Sequence, residues 1–493
     1  MSDILTNPFS RDPRFAGPMS RRQLLTKTAG GFGAVALAAL LAEDNKVGAS
    51  VVSAATATTQ ANGGNPLAIR APHFAARAKR VIFLFMPGGP SQVDTFDPKP
   101  RLTRDNGKPI DLDVSKLVKK YKTKTCLASP FKFAKHGQSG LDVSELFPNV
   151  AGCADDLCVI RSMVHEDPNH PGGCFLMNTG NRVFSRPSIG SWVTYGLGAE
   201  NQDLPGFIAI GPGQPLEGCR QYSSSFLPSA YGATFVSDMT NPIRNLRERP
   251  VSLDRQRREL DAIRELNQLQ LHDPQQDRDL CARIESFELA YRMQANAPDA
   301  FDLTGESQAT KKLYGIDAKP TDAFGRQCLL ARRLIERGVR FVQLFDTQGG
   351  FQPWDQHQNL KSGHANNAAR TDLPIAGLLK DLKSRGLLED TLVLWGGEFG
   401  RTPTSEGKDG RDHHPYGFTM WLAGGGVKSG TIYGATDEFG WNALPDQQVH
   451  VHDLHATILH LLGLDHQRLT YRYGGRDYRL TDVYGNVVKG ILA

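Results

Sequence analysis

Val81-Ile82-Phe83-Leu84-Phe85-Met86 is the stretch that decides the fold. It is apolar at every position, and it lies between a basic Lys79-Arg80 and a Pro87-Gly88-Gly89 turn. A strand with one face in water alternates apolar and polar residues. A strand that is apolar throughout is buried on both faces, as in the interior of a parallel sheet. Two further stretches read the same way: Arg340-Phe341-Val342-Gln343-Leu344-Phe345 and Thr391-Leu392-Val393-Leu394-Trp395. Helical patterns lie between them. Asp372 is placed to cap a helix carrying Ile375, Leu378, Leu379 and Leu382, ended near Gly386, and Asp453 to cap another running to Gly463. Strands alternating with helices predict an α/β fold with a mostly parallel central sheet and helices on both faces. Residues 81–86, 340–345 and 391–395 are its expected inner neighbours. Residues 242–298 break the pattern. They are charged, with Leu260, Ile263 and Leu266 on one stripe and Ile284, Phe287 and Leu289 later, which predicts a helical pair inserted into the body.

The 493 residues suffice for one large domain or two coupled ones, and the net charge of +5 is spread without a basic tract, which argues against a nucleic-acid partner. The 7 cysteines are odd in number and form no Cys-x-x-Cys pair, so most are expected as free thiols. Ser20-Arg21-Arg22-Gln23-Leu24-Leu25 is a twin-arginine signature, followed by an apolar segment at 30–42 too short and too rich in Gly and Ala to span a bilayer. Residues 1–57 are therefore expected to be a signal peptide, residues 58–75 a linker and residues 76–493 the α/β domain. The expected route uses the twin-arginine translocase, which carries folded proteins to the periplasm or beyond. No other segment is long and apolar enough for a transmembrane domain in the mature chain.

In open α/β sheets ligands bind beyond the carboxyl ends of the strands. Acids, glycines and histidines collect there. Asp94 follows the first strand; Asp355 and His357 follow the second; Glu398, Arg401, Asp412, His413 and His414 follow the third. The stretch His165-Glu166-Asp167-Pro168-Asn169-His170-Pro171-Gly172-Gly173 adds two histidines in a segment that its prolines and glycines keep from being a long helix. Carboxylate and imidazole donors suit a divalent metal, and an arginine suits a tetrahedral oxyanion. Nine of the 14 histidines fall between 357 and 466. His455, His460 and His466 belong with the last helix and are read as core-edge or surface residues.

The stretches AKRVIFLFMPGGPSQVDTFDPKP, HEDPNHPGGCFLMNTGNR, WDQH, TLVLWGGEFGRTP, DHHPYGF and HDLHATILHLLGLDH resemble a large bacterial sulfatase-like family within the alkaline phosphatase superfamily. The resemblance runs from about residue 75 to the C-terminus. It implies a sulfatase-like α/β fold and a divalent metal (Ca, Zn, Mn or Mg). By this likeness Glu398 falls on a metal-binding aspartate, and Phe399 falls where a second ligand would stand. Asp94 comes several residues after the superfamily's first-strand aspartate. Counted back from Thr179-Gly180, the nucleophile position falls on His170. Asp453 falls in a packing helix and is structural. The implied site has His170 as the catalytic group. Asp94, Asp355, His357, Glu398, His413 and His414 would hold metal, and Arg401 and His165 would hold substrate. The implied activity is hydrolysis of sulfate or phosphate esters, on a polysaccharide or a small ester. The alternative is a non-catalytic polysaccharide-binding or structural relative that kept the fold.

Overall fold

The structure is a computed structural model that describes residues 65–110, 125–240, 242–243, 252–270, 278–296, 298–347 and 352–493. The twin-arginine leader expected at residues 1–57 lies outside the described residues.

A nine-stranded sheet organises the body. Its order is Thr431–Tyr433, Leu157–Val164, Phe418–Ala423, Thr391–Gly396, Arg80–Phe85, Phe341–Phe345, Phe207–Ile210 and Thr234–Val236, with Val449–His450 pairing beside Leu157–Val164. The first strand is central. It pairs in parallel with Phe341–Phe345 on one side and Thr391–Gly396 on the other. The three apolar stretches are therefore neighbours, as expected. Only Phe418–Ala423 runs against its partners.

Period-two alternation sorts the first strand onto two cores. Ile82, Leu84 and Met86 enter the cluster that also holds Leu329, Leu330, Ile375 and Leu379. Val81, Phe83 and Phe85 enter the opposite one, with Leu176, Trp192, Leu454 and Ile458. Helices Asp322–Glu336 and Leu360–Ser384 thus cover one face, and His170–Thr179, Ile189–Leu197 and Val451–Leu461 the other. Burial at every position makes each of these strand residues costly to truncate: Leu84→Ala should destabilise by about 2–5 kcal/mol.

Three local expectations are corrected. The helix through Ile375 starts at Leu360, so Asp372 is internal, and its carboxylate accepts from Asn149 N, Asn149 Nδ2 and Val150 N, capping a different short helix. Residues 65–75, expected as linker, are packed: Leu67 is buried, and the backbone bonds to Leu197, Ala199 and Gly463. The inserted helices Leu253–Gln270 and Arg278–Asn296 are present, but Ile263, Leu266 and Phe287 are exposed, and buried Met293 and half-buried Leu289 anchor the pair instead. Among the described residues no helix is long and apolar enough to cross a membrane.

Candidate metal centre

All but one of the sheet strands deliver their carboxyl ends to one edge, and the site forms there from the segments that follow four of them. The first is Pro87-Gly88-Gly89. Gly88 has φ +107°, and a Cβ on it would lie 2.5 Å from Asp355 N, so the turn requires glycine. Its N–H donates to Glu398 Oε1 at 2.8 Å, and Gly89 O accepts from Arg401 Nε at 3.2 Å. Where the resemblance implies a metal-binding aspartate, the chain builds a backbone cradle for two side chains.

The expected displaced ligand, Asp94, does not reach the site. It is fully buried and paired with fully buried Arg411, at 2.7 and 3.2 Å, and it accepts from Ser91 Oγ at 2.5 Å. Burial opposes its ionisation, but Arg411 outweighs this and lowers the pKa.

Between Thr391–Gly396 and Phe418–Ala423 the chain forms a short ribbon, Gly400–Arg401 against His413–His414. Consecutive strand residues face opposite ways, so His413 and His414 cannot both enter one site. His413 pairs with Arg401 in register, and the two share a face, towards Asp355. His414 turns inward, is buried beside Trp441 and contacts its carbonyl through Nε2; burial holds its pKa at about 4. It is a packing residue rather than the expected ligand.

The site centres on Asp355 Oδ1. His357 Nε2 is 3.0 Å away, His170 Nε2 3.2 Å, His413 Nε2 3.3 Å and Arg401 Nη2 2.5 Å. His357 Nε2 and His413 Nε2 are 3.0 Å apart. One donor atom from each of His170, Asp355, His357 and His413 lies within 4.8 Å of all the others. These residues come from positions spread over 243 places in the chain (413 − 170). Each imidazole is held from behind. His170 Nδ1–H donates to Glu398 Oε1 at 2.5 Å, His357 Nδ1–H to Glu406 Oε2 at 2.5 Å, and His413 Nδ1–H to Pro168 O at 2.8 Å. Carboxylate and carbonyl oxygens only accept, so each Nδ1 carries a proton, and a ring in its neutral form turns its Nε2 lone pair inward.

Three lone pairs and a carboxylate oxygen facing one point repel each other unless protons or a cation lie between them. His170 Nε2 is buried without a hydrogen-bond partner. The donor set and the outward anchoring of each ring are those of a metal-binding histidine cluster, so the residues fit a divalent ion. Burial lowers the pKa of His413, which favours the neutral form a ligand needs. Burial would also lower that of His170, but Asp355 and Glu398 outweigh it and raise it. Asp355 is opposed by burial yet driven well below the usual carboxylate range by His170, His413 and Arg401. The side chain of His357 is 39% exposed, so the cluster opens to solvent on that side.

The remaining expected residues surround this cluster. Glu398 is fully buried behind His170 rather than among the converging donors. Arg401 is also fully buried, its guanidinium shared among Asp355 and the carbonyls of Gly88, Gly89 and Arg411, so it is not open to a substrate oxyanion. His165 binds Glu398 O through Nε2 and accepts from Asp167 N through Nδ1, and burial sets its pKa at about 4. With both ring nitrogens used, it shapes the loop rather than touching a substrate. Phe399 stacks against His413 and packs on His170, a wall where the resemblance placed a ligand. Two contacts that orient these rings escape sequence reading: Glu406, which has no strand-end position to mark it, and the Pro168 carbonyl, a group that every residue possesses.

Among curated proteins none matches the chain. Several solved structures show distant likeness. The lipoteichoic acid synthase LtaP from Listeria monocytogenes is 9% identical, covering 85% of this chain and 78% of that one, with a TM-score of 0.34. The PsFucS1 sulfatase from Pseudoalteromonas sp. is 12% identical (79% and 68% covered, TM-score 0.34), and the phosphonate monoester hydrolase SpPMH from Silicibacter pomeroyi is 11% identical (70% and 71%, TM-score 0.34). The family described as "Protein of unknown function (DUF1501)" matches residues 78–492, and the chain belongs to that family.

Proposed function

We propose that the protein is an exported hydrolase of sulfate or phosphate esters that uses one divalent ion, held by His170, His357, His413 and Asp355. The observation that carries this reading is the common orientation of three imidazoles, each anchored through Nδ1 and each aiming Nε2 at Asp355. His165, by contrast, spends both ring nitrogens on backbone. The ester class comes from the sulfatase-like resemblance, and polymeric as well as small esters fall within it.

An imidazole-rich set favours zinc or manganese over calcium or magnesium, which prefer oxygen donors. Bound there, the ion would supply a Lewis acid for the ester and for water. Glu398 and Glu406 fix the tautomers of His170 and His357 and make their Nε2 atoms better donors. Arg401 offsets part of the Asp355 charge. Phe399 closes the inner side, and the ester enters from the open side at His357. Because His170 Nε2 joins the donor set, we assign it to the metal, and the attacking group is water rather than an imidazole.

One observation favours the non-catalytic alternative: the only arginine touching the cluster among the described residues, Arg401, is buried and committed. Metal content of the purified protein, with hydrolysis of p-nitrophenyl phosphate and p-nitrophenyl sulfate before and after chelation, decides between them. Stoichiometric zinc or manganese, lost in His357→Ala together with hydrolysis, is expected. A metal-free protein would remove the proposal. Export is tested separately: changing Arg21 and Arg22 to Lys should leave full-length protein in the cytoplasm.

A further inference from the structure

A cavity of about 580 Å³ borders the segment that leads into His170. Its lining includes Glu166, His450, His452, Gln467, Tyr484 and Asn486. Glu166 precedes His170 by four residues, so their Cα atoms are at most about 14 Å apart. The volume falls within the range of ligand pockets, about 300–1,000 Å³.

The cavity is built around an aromatic platform. His452 is buried, and its Nε2–H donates to Gly180 O at 2.9 Å, at the C-terminal cap of the helix that His170 begins. Tyr484 stacks nearly parallel on His452, with ring centres 5.1 Å apart and planes 13° apart. Tyr484 is nevertheless 61% exposed, so its other face is open. Polar groups surround it. His450 Nδ1 accepts from His452 N, so its Nε2–H donates to Glu166 Oε2 at 2.9 Å, leaving the other Glu166 oxygen for a hydroxyl. The Gln467 amide supplies a donor and an acceptor. An open aromatic face flanked by carboxylate, imidazole and amide groups is the chemistry that holds a sugar ring: apolar C–H bonds on the ring face and hydroxyls at its edge. The lining contains Glu166 and Asp453 and no lysine or arginine, which disfavours an anionic ring.

We propose that this cavity binds an uncharged saccharide unit of the substrate, adjacent to the unit whose ester reaches the metal cluster. Its place in the reaction rests on the ester-hydrolase reading; sugar binding itself does not.

The test is saturation-transfer NMR of the protein with cellobiose, maltose, xylobiose and N,N′-diacetylchitobiose at millimolar concentration. Transfer to at least one of these is expected, lost in Tyr484→Ala, retained in Tyr484→Phe and weakened in Glu166→Gln. It should persist in His357→Ala, which removes a metal donor and leaves the cavity intact. Tyr484 is exposed, so an unchanged melting temperature in Tyr484→Ala checks that the fold survives. No transfer to any of the sugars, or transfer that survives Tyr484→Ala, overturns the proposal. Sugar binding by a protein that holds no metal would leave the cavity assignment standing and remove the hydrolase reading; stoichiometric metal without sugar binding would do the reverse.

Discussion

Asp355 and Asp94 each follow a central strand, and each meets an arginine and lies near a histidine, yet their surroundings are opposite. Around Asp94 the carboxylate itself is fully engaged: Arg411 is bidentate and Ser91 donates its hydroxyl, while the Nε2 of nearby His364 accepts from Ser91 N. Both charged groups are fully buried. Around Asp355 the side chain is 28% exposed, and three imidazoles aim lone pairs at the same oxygen. The first arrangement closes a carboxylate on its own arginine and holds loops together; the second turns several donors toward one point. Charge alone does not separate them. The direction of the unused lone pairs does.

The sharpest way to break this contrast is to remove Arg411. Arg411→Ala leaves the Asp94 carboxylate buried without a partner, and destabilisation of about 3–5 kcal/mol by denaturant titration is expected. His357→Ala should lower the stability of the metal-free protein far less while abolishing metal binding. Similar stability losses in the two variants would erase the distinction.

Acid should find the satisfied histidines first. His165 and His414 have an ordinary pKa of 6.5 when unfolded and about 4 when folded, both through burial. Between those values the unfolded chain binds more protons, so stability is retained above about pH 6.5 and falls as pH drops towards 4. The loss amounts to about 3 kcal/mol per histidine at most. Melting temperature against pH checks this, and His414→Gln should flatten the slope.

Smaller effects separate orienting from packing contacts. Glu406→Gln should weaken metal binding about 10- to 100-fold, measured by competition with a chelator, with the metal-free melting temperature unchanged. Asp453 completes a capping box by accepting from His450 N. Asp453→Ala should cost about 1 kcal/mol of stability and leave metal affinity as it was. If Asp453→Ala altered metal binding more than Glu406→Gln, the division between site and scaffold would have to be redrawn.

Much of this was legible in the chain. The apolar runs at 81–86 and 391–395 read as inner strands, with their loops expected at the carboxyl edge. Asp355, His357, His413 and His170 were all visible as candidates, because acids and histidines stand out in glycine-rich loops. Asp94 and His414 were visible for the same reason, and composition could not tell them apart from the others. Exposure of Ile263, Leu266 and Phe287 was hidden too, since a helical stripe shows which residues share a face but not what that face meets.

The residue order by itself determined the parallel sheet, its three central neighbours and the edge at which polar loops gather, because backbone hydrogen bonding and burial act locally and with fixed periods. Only the tertiary structure decided which polar residues became a site. Of two adjacent histidines, strand alternation sends one to the cluster and one to the core, but the strand's orientation against Arg401 chooses which. Glu406 and the Pro168 carbonyl matter only because the fold sets them behind His357 and His413. Asp94 is withdrawn because Arg411, 317 residues away, reaches it first. Donor geometry is settled within a few ångströms, and residues so distant in sequence acquire that precision only from the packed body that holds them.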